Sequence, residues 1–510
     1  MEGLSLIGGS TGSDSGSTFT AFDPRTGCAI EPVFYSAFKM EVEMAAKLAA
    51  KAAPGFARLS NKRRAGFLNA IAENLESVKS KIVSRASLET GLTEARFEGE
   101  LGRTCGQLRM FADVVADGSW VDARIDHGIP DRKPLPKPDI RSMLQPLGPV
   151  AVFCASNFPL AFSVAGGDTA SAFAAGCPVV VIGHAAHPGT AELAGKAIAK
   201  AVADMGLDEG VFSLIFCKDH SAGQLLVSNP SIKSVGFTGS RSGGIALMET
   251  ASQRPEPIPV FAEMSSINPV FLLPGPIEER GESIAEELFA SFTLGFGQFC
   301  TKPGVVVLPE YIAAEAFVLK LLALTKTTEA SPLLTKGIFE DYLRKIKARE
   351  NIDLETGEGY LLPTALSTIR AREFLKDPAF SEEIFGPSML LVLADTDEEI
   401  LGIANDLEGQ LTATIHGTEA ELEKNSELVE ILASKAGRLI FNSFPTGVEV
   451  CGAMVHGGPF PATSAPWTTS VGKRAIERFT RLIAYQGFPE KALPDELKHD
   501  NPLKIKRIEE

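Results

Sequence analysis

A chain of 510 residues is too long for a single hydrophobic core, so two or three domains are expected. Its 45% hydrophobic and 22% charged residues read as an ordinary soluble globular protein, with no apolar run long enough to span a bilayer. A net charge of −15 argues against nucleic acid or an anionic membrane surface as the main partner.

The Ser/Gly-rich opening through Thr18 lacks a basic start and a long apolar stretch, so it reads as a flexible lead-in rather than a signal peptide. From Met40 to Asp117 apolar residues recur at helical spacing, as in Phe67, Leu68, Ile71, Leu75 and Val78. Arg103 and Arg109 fall on a later helix of this region, as surface residues or as anchors for a substrate carboxylate. Five prolines between Asp126 and Pro146 exclude a continuous helix and an interior strand. Next come a strand at Val150–Cys154, a helix at Ala161–Ala175 and a strand at Cys177–Ile182. A helix at Thr190–Met205, a strand at Val211–Phe216, a helix through Val227 and a strand at Ser234–Thr238 follow. Strands alternating with helices over such lengths predict a parallel sheet covered on both faces, a Rossmann-like dinucleotide-binding half. Phe237-Thr-Gly239-Ser240-Arg241 follows a strand and opens a helix, the context a pyrophosphate needs, although the GxGxxG spacing is absent.

Further strands are expected at Gly304–Leu308, Met389–Leu393, Leu411–Ile415 and Arg438–Phe441, and a mainly helical stretch at Tyr311–Glu350. Val455–Pro459 reads as a tight turn and Ser470–Tyr485 as a helix with an apolar continuation. In Gly295-Phe-Gly-Gln-Phe-Cys300-Thr-Lys-Pro-Gly304 a cysteine lies among glycines that let backbone approach a ligand closely. Amide-rich surroundings would lower its thiol from about 8.5 and make it a nucleophile. The other six cysteines, scattered and without a CxxC pair, read as small buried hydrophobes in a reducing cytoplasm, with no metal expected.

Asn157 before Phe-Pro, Glu263 on an apolar stretch, Cys300, and Glu382-Glu383-Ile-Phe385-Gly-Pro387 stand in an order that resembles the aldehyde dehydrogenase superfamily from about residue 20 to about 490. The resemblance implies an α/β fold with a Rossmann-like cofactor domain (1–125 plus 147–262), an α/β catalytic domain (263–455) and a small β oligomerisation arm with the C-terminal tail (126–146 plus 456–510). It implies that Cys300 attacks an aldehyde, that Asn157 and the Cys300 N–H hold the oxyanion, and that Glu263 activates water against the thioester. Shielding of Glu263 by Phe261 and Met264 should raise its pKa. Gly239, Ser240 and Arg241 would meet the cofactor turn, Glu383 the nicotinamide ribose, Phe385 the ring, and Gly183 and Ala185 the adenosine end. In a subgroup of similar NADP-linked enzymes a His-Gly-Gly-Pro turn lies near the thiol, which makes His456 a candidate; an ordinary loop histidine is the alternative.

The pattern also departs from the family. Ile182 stands where a ribose-binding lysine is usual, Ala185 where NAD-preferring members carry a glutamate, and Ser265-Ser266 where two glycines follow the base. Loss of the glutamate removes repulsion of a 2′-phosphate, so NADP is favoured over NAD, with His184, His220 and Arg241 as replacement contacts. Gly-Gly-Asp-Thr-Ala-Ser and Pro445-Thr-Gly-Val-Glu449 resemble a branch that includes NADP-dependent fatty-aldehyde and α-ketoglutaric semialdehyde (2,5-dioxopentanoate) dehydrogenases. The expected reaction is 2,5-dioxopentanoate to 2-oxoglutarate in a cytoplasmic homodimer or homotetramer. Alternatives are a medium- or long-chain aliphatic aldehyde, an acylating CoA-dependent relative, a cysteine hydrolase, or a nucleotide-binding or assembly subunit with little or no catalysis.

Overall fold

The computed structural model describes residues 1–310, 312–350 and 359–510, side chains 312–315 and 350 aside. Tyr311, which opens the expected helical stretch, lies outside the described residues. Runs such as Val179-Val-Val-Ile182, buried at every position, cannot face water on either side and settle inside a parallel sheet. That sheet has seven strands, ordered Val260–Glu263, Ser234–Thr238, Val150–Phe153, Val179–Ile182, Phe212–Ile215, Leu6–Ile7 and Ser10–Thr11. The first five run parallel. The chain leaves Val150–Phe153 for the strands on one side of it and returns to those on the other, so a crevice opens beyond its carboxyl end.

The N-terminal stretch corrects the expected flexible lead-in: Leu6–Ile7 pairs antiparallel with Phe212–Ile215, and both its residues are buried. The helical region is four helices, Lys39–Ala57, Asn61–Ser77, Lys79–Thr90 and Glu94–Asp117. Ser60 and Thr93 cap two of them through backbone amides, and left-handed Gly91 and Gly118 end the last two. The helix expected from Ala161 begins at Gly167, because Gly166 is extended and the Gly167 N–H turns back to the Ala161 carbonyl.

A second sheet holds six parallel strands ordered Ala365–Arg370, Ser388–Ala394, Val305–Pro309, Val270–Leu272, Gln410–His416 and Ala436–Phe441. A third, small sheet runs Thr480–Gln486, Ile140–Pro146, Arg124–Asp126 and Ile508–Glu509. It corrects two expectations. Ile140–Pro146 is an interior strand, since all but one of the five prolines precede it and Pro146 only closes it. Thr480–Gln486 is a strand after a short 3-10 turn, because its residues alternate between half-buried and exposed over most of its length. Among the described residues no helix is long and apolar enough to cross a membrane.

Candidate active site

Three neighbouring parallel strands of the first sheet point their carboxyl ends the same way. Glu263 is the last residue of its strand, Gly239 follows the next, and Asn157 lies four residues past the third. A parallel sheet thus delivers an amide, a glycine turn and an acid to one edge from remote stretches of chain. Glu263 is fixed further by the returning C-terminal segment: Met264 N–H donates to the Ala462 carbonyl at 2.8 Å, and Ser470 Oγ donates to Glu263 Oε2 at 2.6 Å.

The nucleophile loop comes from the other direction. After the helix Pro274–Thr293, residues Gly295, Phe296 and Gly297 all adopt positive φ (58°, 59° and 67°). At Gly297 this needs glycine twice over, since a Cβ there would lie 2.4 Å from the Gly386 carbonyl oxygen. Phe296 has no such freedom and carries strain of about 1–2 kcal/mol. Asn268, itself at φ 46°, donates from Nδ2 to the carbonyls of Cys300 (2.8 Å) and Lys302 (3.0 Å), pinning the chain on both sides of Thr301. Asn157 Nδ2 donates to the Gln298 carbonyl at 2.8 Å, two residues before the thiol.

Glu263, Cys300 and His456 converge, their acting atoms all within 4.8 Å of one another. His456 Nε2 is 2.9 Å from Glu263 Oε1 and 3.4 Å from Cys300 Sγ. A carboxylate can only accept, so the approach of Nε2 to Oε1 is favourable when Nε2 carries the ring proton, and the thiol's proton also faces Glu263. Burial would raise the Glu263 carboxyl, but His456, Ser470 and the thiol outweigh it and hold it below the usual carboxylate range. This corrects the expected raised value: the apolar neighbours are there, and three hydrogen-bond partners overrule them. Cys300 goes the other way. Burial, the Glu263 charge and Glu383 push its thiol well above the ordinary value, against the expected lowering; its own backbone N–H opposes them weakly.

His456 does not sit in a tight turn. Val455–Gly458 is irregular extended chain, held by Ser470 N–H on the His456 carbonyl and by His456 N–H on Thr469 Oγ1. Four of the other cysteines are buried, with thiols raised by burial to about 11 or 12, as inert core residues should be. Cys28 is exposed and Cys451 half-buried, so neither is a core residue.

The two arginines first considered as anchors separate cleanly. Arg109 lies outside, its fork closed on both oxygens of Glu76. Arg103 sits over the Phe162 ring, 6.0 Å from its centroid, and Phe162 is 6.2 Å from the His456 ring. Arg438, not anticipated from sequence, donates to the Pro445 and Gly447 carbonyls while Arg103 donates to Val448, so both grip one loop. Burial lowers both guanidinium pKa values, and both act electrostatically on Cys300.

At the dinucleotide edge Ser240 caps the helix Arg241–Ser252 through Gly243 N–H, and the amides of Arg241 and Ser242 have no acceptor among the described residues. Such free amides at a helix start fit a pyrophosphate. The Arg241 side chain is engaged, meeting Glu408 at 2.7 and 3.1 Å. Gly183 packs against Phe216, Ala185 is half-buried, and burial beside His187 and His220 pushes His184 down to about 3, so that ring is neutral. Glu383 and Phe385 are half-buried in the loop that meets Gly297. Ser470, Arg438, Lys302 and Asn268 had drawn no functional reading from sequence. Ser470 and Arg438 lack any local signal, because their roles depend on partners far away in the chain.

A profile of the aldehyde dehydrogenase family matches residues 11–480. An α-ketoglutaric semialdehyde dehydrogenase 2 of Azospirillum brasilense is 48% identical over the whole of this chain and 98% of its own. An α-ketoglutaric semialdehyde dehydrogenase of Acinetobacter baylyi is 45% identical over 93% of this chain and 92% of its own. The fold matches an NAD+ complex of an aldehyde dehydrogenase from Bacillus cereus with a TM-score of 0.80 at 20% identity, covering 95% of this chain and 96% of that one.

Proposed function

The chain belongs to the aldehyde dehydrogenase family, and from that premise we propose that it oxidises 2,5-dioxopentanoate to 2-oxoglutarate through Cys300, with NAD(P) as coenzyme. Two relatives close to half identical over nearly all of both chains are α-ketoglutaric semialdehyde dehydrogenases, which supports this substrate. The observation in this molecule that carries it is Arg103 with Arg438. Both guanidiniums lie within electrostatic range of the thiol, and neither forms an ion pair among the described residues. Half-buried cations bonded to backbone carbonyls without an ion-pair partner are costly unless an anion completes them, and the far carboxylate of a semialdehyde is such an anion. Of the Arg103 guanidinium only Nη1 has an acceptor among the described residues, so its other nitrogens, the buried Nε included, are the donors offered to it.

The thiol proton passes to the facing Glu263 carboxylate and on to water, and the Cys300 sulfur attacks the aldehyde carbonyl. The oxygen that gains charge is received by the second N–H of Asn157 Nδ2, free of any acceptor among the described residues, and by the Cys300 N–H. His456 Nε2–H stands within reach of both sulfur and carboxylate, so one donor serves whichever is negative. A nicotinamide held beside the sulfur would supply the hydride acceptor that the passage from thiohemiacetal to thioester requires. Acylated sulfur no longer offers a proton to Glu263, which leaves that carboxylate to take one from the hydrolytic water while Ser470 and His456 hold it in place. The carboxylate argues against an acylating CoA enzyme, and the assembled trio argues against an inactive subunit.

For the coenzyme, the free amides of Arg241 and Ser242 would receive the pyrophosphate. Preference for NADP rests on Ala185, which leaves room where a carboxylate would repel a 2′-phosphate. Neutral His184 offers it no charge, and Arg241 would have to leave Glu408, an exposed pair worth about 0–1 kcal/mol. A second reading, a medium-chain aliphatic aldehyde, draws on Phe158, Phe162 and Phe299, whose rings cluster 4.9–5.3 Å apart beside the nucleophile. Initial rates for 2,5-dioxopentanoate and hexanal, each with NAD and NADP, decide between them. Higher kcat/KM for the semialdehyde is expected, and a clear preference for hexanal ends the assignment.

A further inference from the structure

Lys302 lies two residues past the nucleophile and is 2% exposed. Its Nζ donates to the carbonyls of Ile384 and Ser388, 2.8 Å each, which bracket Phe385-Gly386-Pro387. Its backbone is held from the opposite side by Asn268 Nδ2 on the Lys302 carbonyl. The same two loops touch directly where Gly297 meets Gly386. A methionine would fill the same space without burying a charge, so packing alone does not call for an ammonium.

The charge has a counterpart. Glu383, one residue before Ile384, is the acid that acts most strongly on Lys302, and Lys302 is the cation that acts most strongly on Glu383. Burial pushes the Lys302 ammonium down and the Glu383 carboxyl up, and each charge opposes the shift of the other. Ser265, at a position where the family has glycine, adds a hydrogen bond to the Glu383 carboxylate. The other charges facing the pair are Lys345 and Arg349, with Asp341 and Glu382 opposite in sign. Lys345 is committed elsewhere: its Nζ meets the Glu383 carbonyl at 2.8 Å and Asp341 at 3.1 Å.

We propose that Lys302 is a positioning residue for the coenzyme, seating the Glu383–Phe385 loop against the nucleophile loop and supplying the Glu383 carboxylate with its counter-charge. This rests on the reading of Glu383 as the group that accepts hydrogen bonds from the nicotinamide ribose. A carboxylate accepts from both hydroxyls of a ribose; a protonated carboxyl uses one oxygen as a donor. Lys302 therefore ties the nucleophile to the coenzyme through three residues of sequence and two backbone bonds.

The test compares Lys302→Met, Lys302→Gln and Glu383→Gln in the full-length protein. Coenzyme KM, kcat at saturating coenzyme, and the rate of Cys300 alkylation by iodoacetamide without coenzyme are measured from pH 6 to pH 9. Lys302→Met is expected to raise coenzyme KM about 10- to 100-fold with a smaller loss of kcat. Lys302→Gln, which keeps a donor but no charge, should fall between. Lys302 lowers the Glu383 carboxyl, so in both variants Glu383 takes up a proton more readily. Coenzyme binding should then fail at a higher pH on acidification than in the parent. Alkylation should persist, showing an intact nucleophile loop. If Glu383→Gln raises coenzyme KM but both lysine variants leave it unchanged, Lys302 has no such role. If Glu383→Gln leaves KM unchanged, the ribose reading of Glu383 fails, and the proposal with it. Loss of folded, alkylatable protein in both lysine variants makes Lys302 a structural staple and also overturns the proposal.

Discussion

Arg109 closes on Glu76 at 2.6 Å with both side chains more than two-fifths exposed, whereas His456 meets Glu263 at 2.9 Å with 1% and 3% exposure. The shorter contact is the weaker one. Water and salt screen the outer pair to about 0–1 kcal/mol, but the inner contact is out of water, and losing His456 would leave the buried Glu263 charge to Ser470 and the thiol alone, a larger cost. Arg241 with Glu408 belongs to the first kind. Arg103 and Arg438 are a third kind, half-buried cations that bond backbone carbonyls and form no ion pair among the described residues. Bond length says little about function here; burial and an unfilled valence say more.

The comparison can be broken from the inside first. Asn157→Ala should lower kcat about 10²- to 10³-fold, as loss of an oxyanion donor does, with coenzyme KM little changed; steady-state rates check it, and a small effect would remove Asn157 from the chemistry. Next comes the helix on which both kinds of arginine ride. Arg103→Met should reduce kcat/KM for 2,5-dioxopentanoate about 10- to 100-fold while sparing hexanal, and Arg109→Met should leave both substrates as they were. Equal losses from the two variants would erase the distinction. The smallest effect is a displacement in pH. Glu263 raises the Cys300 thiol, so Glu263→Gln should move the alkylation profile of Cys300 to lower pH; a profile that stays or moves up contradicts the electrostatics.

Part of the site's geometry was legible because its residues sit in local patterns that call for close approach of backbone. Cys300 lies among glycines, one of which has no room for a Cβ, and Gly239 ends a strand before a capped helix. Asn157 and Glu263 could be matched to a family motif. The sign of neither pKa shift was legible: that of Glu263 depends on His456 and on Ser470, 207 residues away, and that of Cys300 on burial and on the charges of Glu263 and Glu383, remote in the chain. Arg103 and Arg109, six residues apart, look alike in sequence; the helix turns one toward Phe162 and the other toward Glu76. The N-terminal strand and Thr480–Gln486 were misread for a related reason. Each is stabilised by a partner strand more than 200 residues away, and neither has a strong pattern of its own.

The central claim is that thiol, amide and acid act on one bound aldehyde in succession, and first-turnover kinetics address it most directly. Coenzyme reduction is followed by stopped-flow absorbance, at a pH where the Cys300 thiolate forms, for the parent, Glu263→Gln and Cys300→Ser. Glu263→Gln should release about one equivalent of reduced coenzyme per site and then stall, with steady turnover about 10²- to 10⁴-fold below the parent and a thioester mass on Cys300. Cys300→Ser should show no burst. Parent-like steady turnover in Glu263→Gln, or a full burst in Cys300→Ser, would contradict the account.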